Sequence, residues 1–155
     1  MSLTENMAQS VIAAARRAAE SIGVPVAIAV LDASAHLKAF ARMDGAVLGS
    51  IDIALGKAKT SALFGMNSEA VGEFSKPGGT SPGLELTNGV LVVFAGGVAL
   101  RDAKGTMIGA VGVSGGAVEQ DVESRTPPPR QRNQPPYKGD GQWRPLRRKR
   151  TETVR

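Results

Sequence analysis

Leu3, Met7, Val11, Ala14, Ala18 and Ile22 recur at steps of three and four residues, the spacing that lines up one face of an α-helix. Ser2-Leu3-Thr4-Glu5 ahead of them reads as a capping box, with Ser2 accepting from the Glu5 amide. Gly23 and Pro25 end the helix. The pattern then changes. Residues 24–31 are an almost unbroken apolar run, suited to a buried strand. Ala33, Ala35, Leu37, Ala39 and Ala41 alternate with Ser34, His36, Lys38, Phe40 and Arg42. That period of two predicts a partner strand over residues 36–43, joined to the first by a turn at Asp32.

Ser50 is placed to cap a second helix over residues 51–64, which Gly65 ends, and residues 68–74 read as a short helical turn. Residues 76–83, KPGGTSPG, form a long loop of the kind that borders a site. Residues 90–95 are a strand candidate, followed by Gly96-Gly97 and a short strand over 98–101. Asp102-Ala103-Lys104-Gly105 is a turn. Residues 107–113 set bulky side chains against Gly109, Ala110 and Gly112, a strand that something packs against closely. Ser114-Gly115-Gly116 then leads into a last helix over 117–122. The expected fold is α+β, a five-stranded antiparallel sheet flanked by helices.

At residue 124 this logic stops. Six prolines and no apolar period mark the remainder, and glycine and alanine give way abruptly to proline and arginine. Residues 124–155 carry a charge of +8 and residues 1–123 carry −3, so the high isoelectric point belongs to the tail. We read 1–123 as the domain and 124–155 as a basic Pro/Arg-rich tail, disordered or the product of a shifted reading frame. Its Tyr137 and Trp143 among basic residues invite a nucleic-acid reading, but no known module is present and nucleic acid is not the expected partner. The chain has no cysteine, which removes disulfides, thiolate metal sites and thiol nucleophiles. No apolar run approaches the ~18 residues of a membrane span, and the first helix lacks the continuous apolar run of a signal peptide. A cytoplasmic protein without membrane contact is expected.

Candidate chemistry gathers between Asp32 and Asp44. His36, the chain's single histidine, reads as a metal or haem-iron ligand, as an acid/base, or as an exposed polar residue beside a turn. Arg42 can clamp a carboxylate in a bidentate way, and Asp44 can accept from it or from the backbone at Gly45. An Arg–Asp pair that fixes the hairpin end accounts for the two equally well. Lys57 and Thr60, three residues apart, share a helical face and add a cation and a hydroxyl if that face meets the hairpin. The glycines of GGVALRDAKGTMIGAVGVSGG match neither a dinucleotide fingerprint nor a phosphate-binding loop. Ser114 and Gly115 precede a helix, where free amides can hold an anion, and catalysis by Ser114 is not expected.

Four blocks in order, VLDASAHLKAFARMDGA, ALGKAKTSALF, FAGGVAL and GTMIGAVGVSGG ahead of EQD, resemble the GlcG/HbpS-like haem-binding family, which includes the C-terminal domain of PduO-type proteins. The resemblance runs from about Ser10 to Asp121 and implies a profilin-like fold, homo-oligomers (dimers or larger) and, in some members, haem binding, haem degradation or redox sensing. It matches Asp32, His36, Arg42, Asp44, Lys57, Thr60, Gly97, Gly109, Gly112, Ser114 and Gly115. Ala35 stands where the family usually has glycine, and Ala99-Leu100 where it has Pro-Ile.

The expectation is therefore a small haem- or tetrapyrrole-binding protein. An apolar slot between helix and sheet would bury the macrocycle, with His36 or a hydroxyl such as that of Thr60 approaching the iron and Arg42 or Lys57 meeting propionates. Two alternatives stand beside it. One is an enzyme or accessory protein acting on a small carboxylated metabolite, with His36 as acid/base and Arg42 as anchor. The other is a non-catalytic oligomeric scaffold.

Overall fold

The computed structural model describes residues 2–117 together with Gln120, Asp121 and Ser124. Thr4 caps the first helix in place of Ser2: its hydroxyl accepts from the Met7 amide at 3.3 Å, and α1 runs Glu5–Ser21. Gly23 takes the left-handed conformation that ends the helix, and the Gly23 and Val24 amides donate to the Glu20 and Ala19 carbonyls. The face α1 buries is Ala8, Ile12, Ala15 and Ala19, one position on from the expected stripe. Met7 and Val11 pack at its margin. Small side chains hold the centre because they let the helix approach the sheet closely.

Four strands, β1 (Ala27–Asp32), β2 (Leu37–Arg42), β3 (Gly97–Arg101) and β4 (Met107–Ser114), form one antiparallel sheet in the order β2-β1-β4-β3. β1 is central and covered on both faces, which is why its sequence is an unbroken apolar run. Val26, Ile28 and Val30 pack with α1, while Ala27, Ala29 and Leu31 pack with Ala54 and Ala58 of α2 (Ser50–Phe64). Gly112 of β4 sits directly beneath α2: a Cβ there would stand 2.1 Å from the Ala54 carbonyl oxygen.

Among the described residues the sheet has four strands and not five. Residues 90–95 carry the β-branched composition of a strand, yet their backbone is engaged by α2, α3 (Ser68–Ser75) and a 3-10 turn at Leu84–Leu86. The Val92 amide donates to Thr60 Oγ1 at 3.1 Å, the Leu91 amide to the Glu85 carbonyl at 2.7 Å, and Phe94 O accepts from the Ser68 hydroxyl at 2.7 Å. Groups taken by helices are not available to a ladder.

Ser50 also departs from expectation. It lies inside the first turn of α2, where its hydroxyl donates to Val47 O, and Gly49 occupies the cap position without a side-chain bond. Gly65 ends α2 at φ +64 as expected, and Gly105 adopts φ +80 in the β3–β4 turn. Of the last expected helix, over 117–122, Gln120 and Asp121 are helical, and the Asp121 amide donates to Ala117 O at 3.0 Å. Ser124, expected as the first residue of the tail, is helical and buried as well. Residues 125–155 of the expected tail lie outside the described residues. Among those described, no helix is long and apolar enough to cross a membrane.

Candidate functional site

Asp32 builds the turn between β1 and β2. Its Oδ1 accepts from the backbone amides of Ser34 at 2.9 Å and His36 at 3.0 Å, and its carbonyl accepts from Ala35. Ala35 is held at φ +62, a left-handed conformation that glycine adopts with less strain. The His36 amide bond is the main cause that holds the Asp32 carboxyl below its usual range. Partial burial opposes this, and the Ser34 amide and the charges of His36 and Lys38 reinforce it.

His36 leaves this turn with its side chain 80% exposed and Nδ1 3.8 Å from Asp32 Oδ2. The carboxylate is near Nδ1 but beyond hydrogen-bond distance, so the ring is free to turn. The neighbours of His36 in sequence, Ala35 and Leu37, both line an open groove of about 440 Å³. Leu31, Ile53, Leu55, Val90 and Val92 give the groove its apolar walls, and Asp52 and Lys59 are its charged side chains. Its volume falls within the ~300–1,000 Å³ of ordinary ligand pockets.

The other expected site residues do not converge on His36. Arg42 pairs in register with Ala27, six residues along β2 from His36, which is roughly 20 Å at the rise of a strand. Arg42 and Asp44 are both exposed, and no ion pair joins them among the described residues. Ser114 pairs with Ala27 from the other side and is buried, so it shares the Arg42 end of the sheet. Gly115 is packed against Pro25 and Val26: a Cβ there would stand 2.3 Å from the Pro25 carbonyl oxygen.

Lys57 and Thr60 face inward. Lys57 is fully buried, and its Nζ donates to Asp121 Oδ2 at 2.7 Å and to Val113 O at 3.1 Å. The ring of Phe94 lies 4.7 Å from the same nitrogen. Thr60 donates to Gly56 O at 2.9 Å and accepts from Val92. Both residues are engaged within the fold and neither lines the groove. Nor is there room for a macrocycle between α2 and β4, because Gly112 and Ala54 are already in contact.

Sequence reasoning passed over Asp121, which also accepts from the Gly116 amide at 3.1 Å, and over the groove residues Asp52 and Lys59. The spacing of Asp52, Leu55, Gly56 and Lys59 at helical steps was the available signal for the second pair. Among the described residues, no group of three or more His, Cys, Asp or Glu is arranged to hold a metal ion.

This is a small α+β domain: one antiparallel sheet between helices, with an apolar groove beside the β1–β2 turn. The chain belongs to the HbpS-like family, described as haem degrading protein HbpS-like, whose model matches residues 3–124. It is 37% identical over 128 residues to an uncharacterized 15.0 kDa protein of the dhaT–dhaS intergenic region of Citrobacter freundii, covering 78% of this chain and 90% of that protein. It is 38% identical over 112 residues to the corrinoid adenosyltransferase PduO of Salmonella typhimurium strain LT2, covering 71% of this chain but only 33% of that protein. The crystal structure of a PduOC–haem complex superimposes with a TM-score of 0.76 at 32% identity, covering 81% of this chain and 91% of the other.

Proposed function

We propose that this protein binds haem or a closely related tetrapyrrole in the groove at the His36 end of the sheet. The observation that carries the reading is the apolar groove beside the turn that holds His36, lined by its sequence neighbours Ala35 and Leu37. Asp32 stays ionised with Oδ2 3.8 Å from His36 Nδ1, and the imidazole is largely exposed. A haem iron receives its in-plane donors from the macrocycle and asks one side chain of the protein, and His36 is suited to that role. Leu31, Leu37, Ile53 and Val90 supply the apolar surface against which a flat macrocycle loses water. Haem, when bound, supplies a redox-active iron; the protein's own contribution is the imidazole and the partial exclusion of water. The likeness to the PduOC–haem complex supports the same ligand.

Titration of the full chain with haemin tests this. A shifted and intensified Soret band is expected, lost in His36→Ala and retained in Arg42→Ala, because Arg42 stands at the far end of β2. A flat titration of folded protein rejects the reading.

We infer further that copies of the chain assemble. Leu37, Phe40, Val47 and Leu48 leave apolar surface exposed along β2 and the approach to α2. Light scattering at micromolar concentration is expected to give a dimer or larger species, and a monomer alone refutes it.

A further inference from the structure

Lys59 is the cation of the groove, and it lacks a counter-ion. Its side chain is half-buried, its Nζ donates to the Asn88 carbonyl oxygen, and among the described residues it pairs with no carboxylate. An ammonium has three donors, so one bond to a neutral carbonyl leaves capacity for an anion. Gly89 packs beside this nitrogen: a Cβ there would stand in van der Waals contact with Nζ, at 3.6 Å. The left-handed run Asn88, Gly89 and Val90 (φ +54, +71 and +70) bends the chain over this point.

The groove has a negative end as well. Asp52 lies seven residues before Lys59 on α2, two turns away on the same face, so the two charges are about 10 Å apart along the groove. An apolar ligand with a carboxylate at one edge is attracted in one direction and repelled in the other. We propose that Lys59 selects a carboxylated ligand for the groove and that Asp52 sets the direction in which it lies. This rests on the tetrapyrrole reading, in which the carboxylates are propionates. It replaces Lys57 and Arg42 in that role, since the first is enclosed by Asp121 and the second is remote.

The test compares haemin with haemin dimethyl ester, whose propionates are blocked, on the full chain by Soret absorbance. Wild-type protein is expected to bind haemin about tenfold more tightly than the ester, a difference of ~1.4 kcal/mol. Lys59→Gln should weaken haemin alone until the two porphyrins bind alike, while Lys59→Arg keeps the preference. Asp52→Asn should not weaken haemin. Equal binding of both porphyrins to wild type, or equal weakening of both by Lys59→Gln, overturns the role of Lys59 and leaves the tetrapyrrole reading in place. Binding of neither, in protein shown folded by circular dichroism, overturns both.

Discussion

Lys57 Nζ and Asp121 Oδ2 meet at 2.7 Å inside the fold, across 64 residues of sequence. Lys57 is fully buried and Asp121 nearly so. Removing one partner of such a pair strands the other charge in the interior, at a cost of about 3–5 kcal/mol. We therefore expect Asp121→Ala and Lys57→Ala each to lower urea stability by that order. The double variant Lys57→Met with Asp121→Leu should recover part of the loss, because neither charge remains. If the single variants unfold with wild-type midpoints, the pair does not hold these elements together.

Gly112 offers a test of how closely α2 lies on the sheet. Alanine there places a methyl against the Ala54 carbonyl and 2.6 Å from the Ala58 amide, atoms of a helix backbone that cannot turn aside. Displacement of the helix should cost about 1–3 kcal/mol, read as a lowered Tm. An unchanged Tm implies a looser contact than described.

Val90 is the reverse case. A β-branched residue at φ +70 is strained, and the residue is 61% exposed, so little packing repays the strain. Val90→Asn should raise stability by about 1 kcal/mol, since asparagine tolerates the left-handed region. A loss of stability in thermal denaturation contradicts this.

The Asp32 turn predicts a pH dependence. Its folded-state pKa lies below the ordinary 3.8, so its contribution to stability is complete above about that pH and is lost as the pH falls through the lower folded value. The amide proton resonances of Ser34 and His36 should shift together in acid with a midpoint below 3.8. Asp32→Asn should abolish that step. A midpoint at or above 3.8 contradicts the assigned bonds.

Much of the fold was legible from local pattern. The helix stop at Gly23, the hairpin at Asp32 and the close approach at Gly112 each follow from a residue whose conformational or steric demands are local. Residues 90–95 were not legible, because propensity cannot reveal that Thr60, thirty-two positions earlier, takes the Val92 amide. The candidate site was half legible. His36 stands beside the groove, but reading the hairpin as one cluster overlooked that a six-residue strand separates its two ends. Lys57 and Lys59 are two positions apart on α2 and meet opposite fates, buried with Asp121 and facing the groove. Only the direction from which the sheet approaches decides which is which.

The Lys57–Asp121 contact also bears on the order of events during synthesis. α2 and the hairpin leave the ribosome long before Asp121 does. Until then the Asp121 carboxylate is not there to meet Lys57, and enclosing the ammonium is less favourable. We therefore expect closure of the α2 face to be favoured only once residue 121 has been made. A nascent chain halted short of Asp121 should remain open on that face.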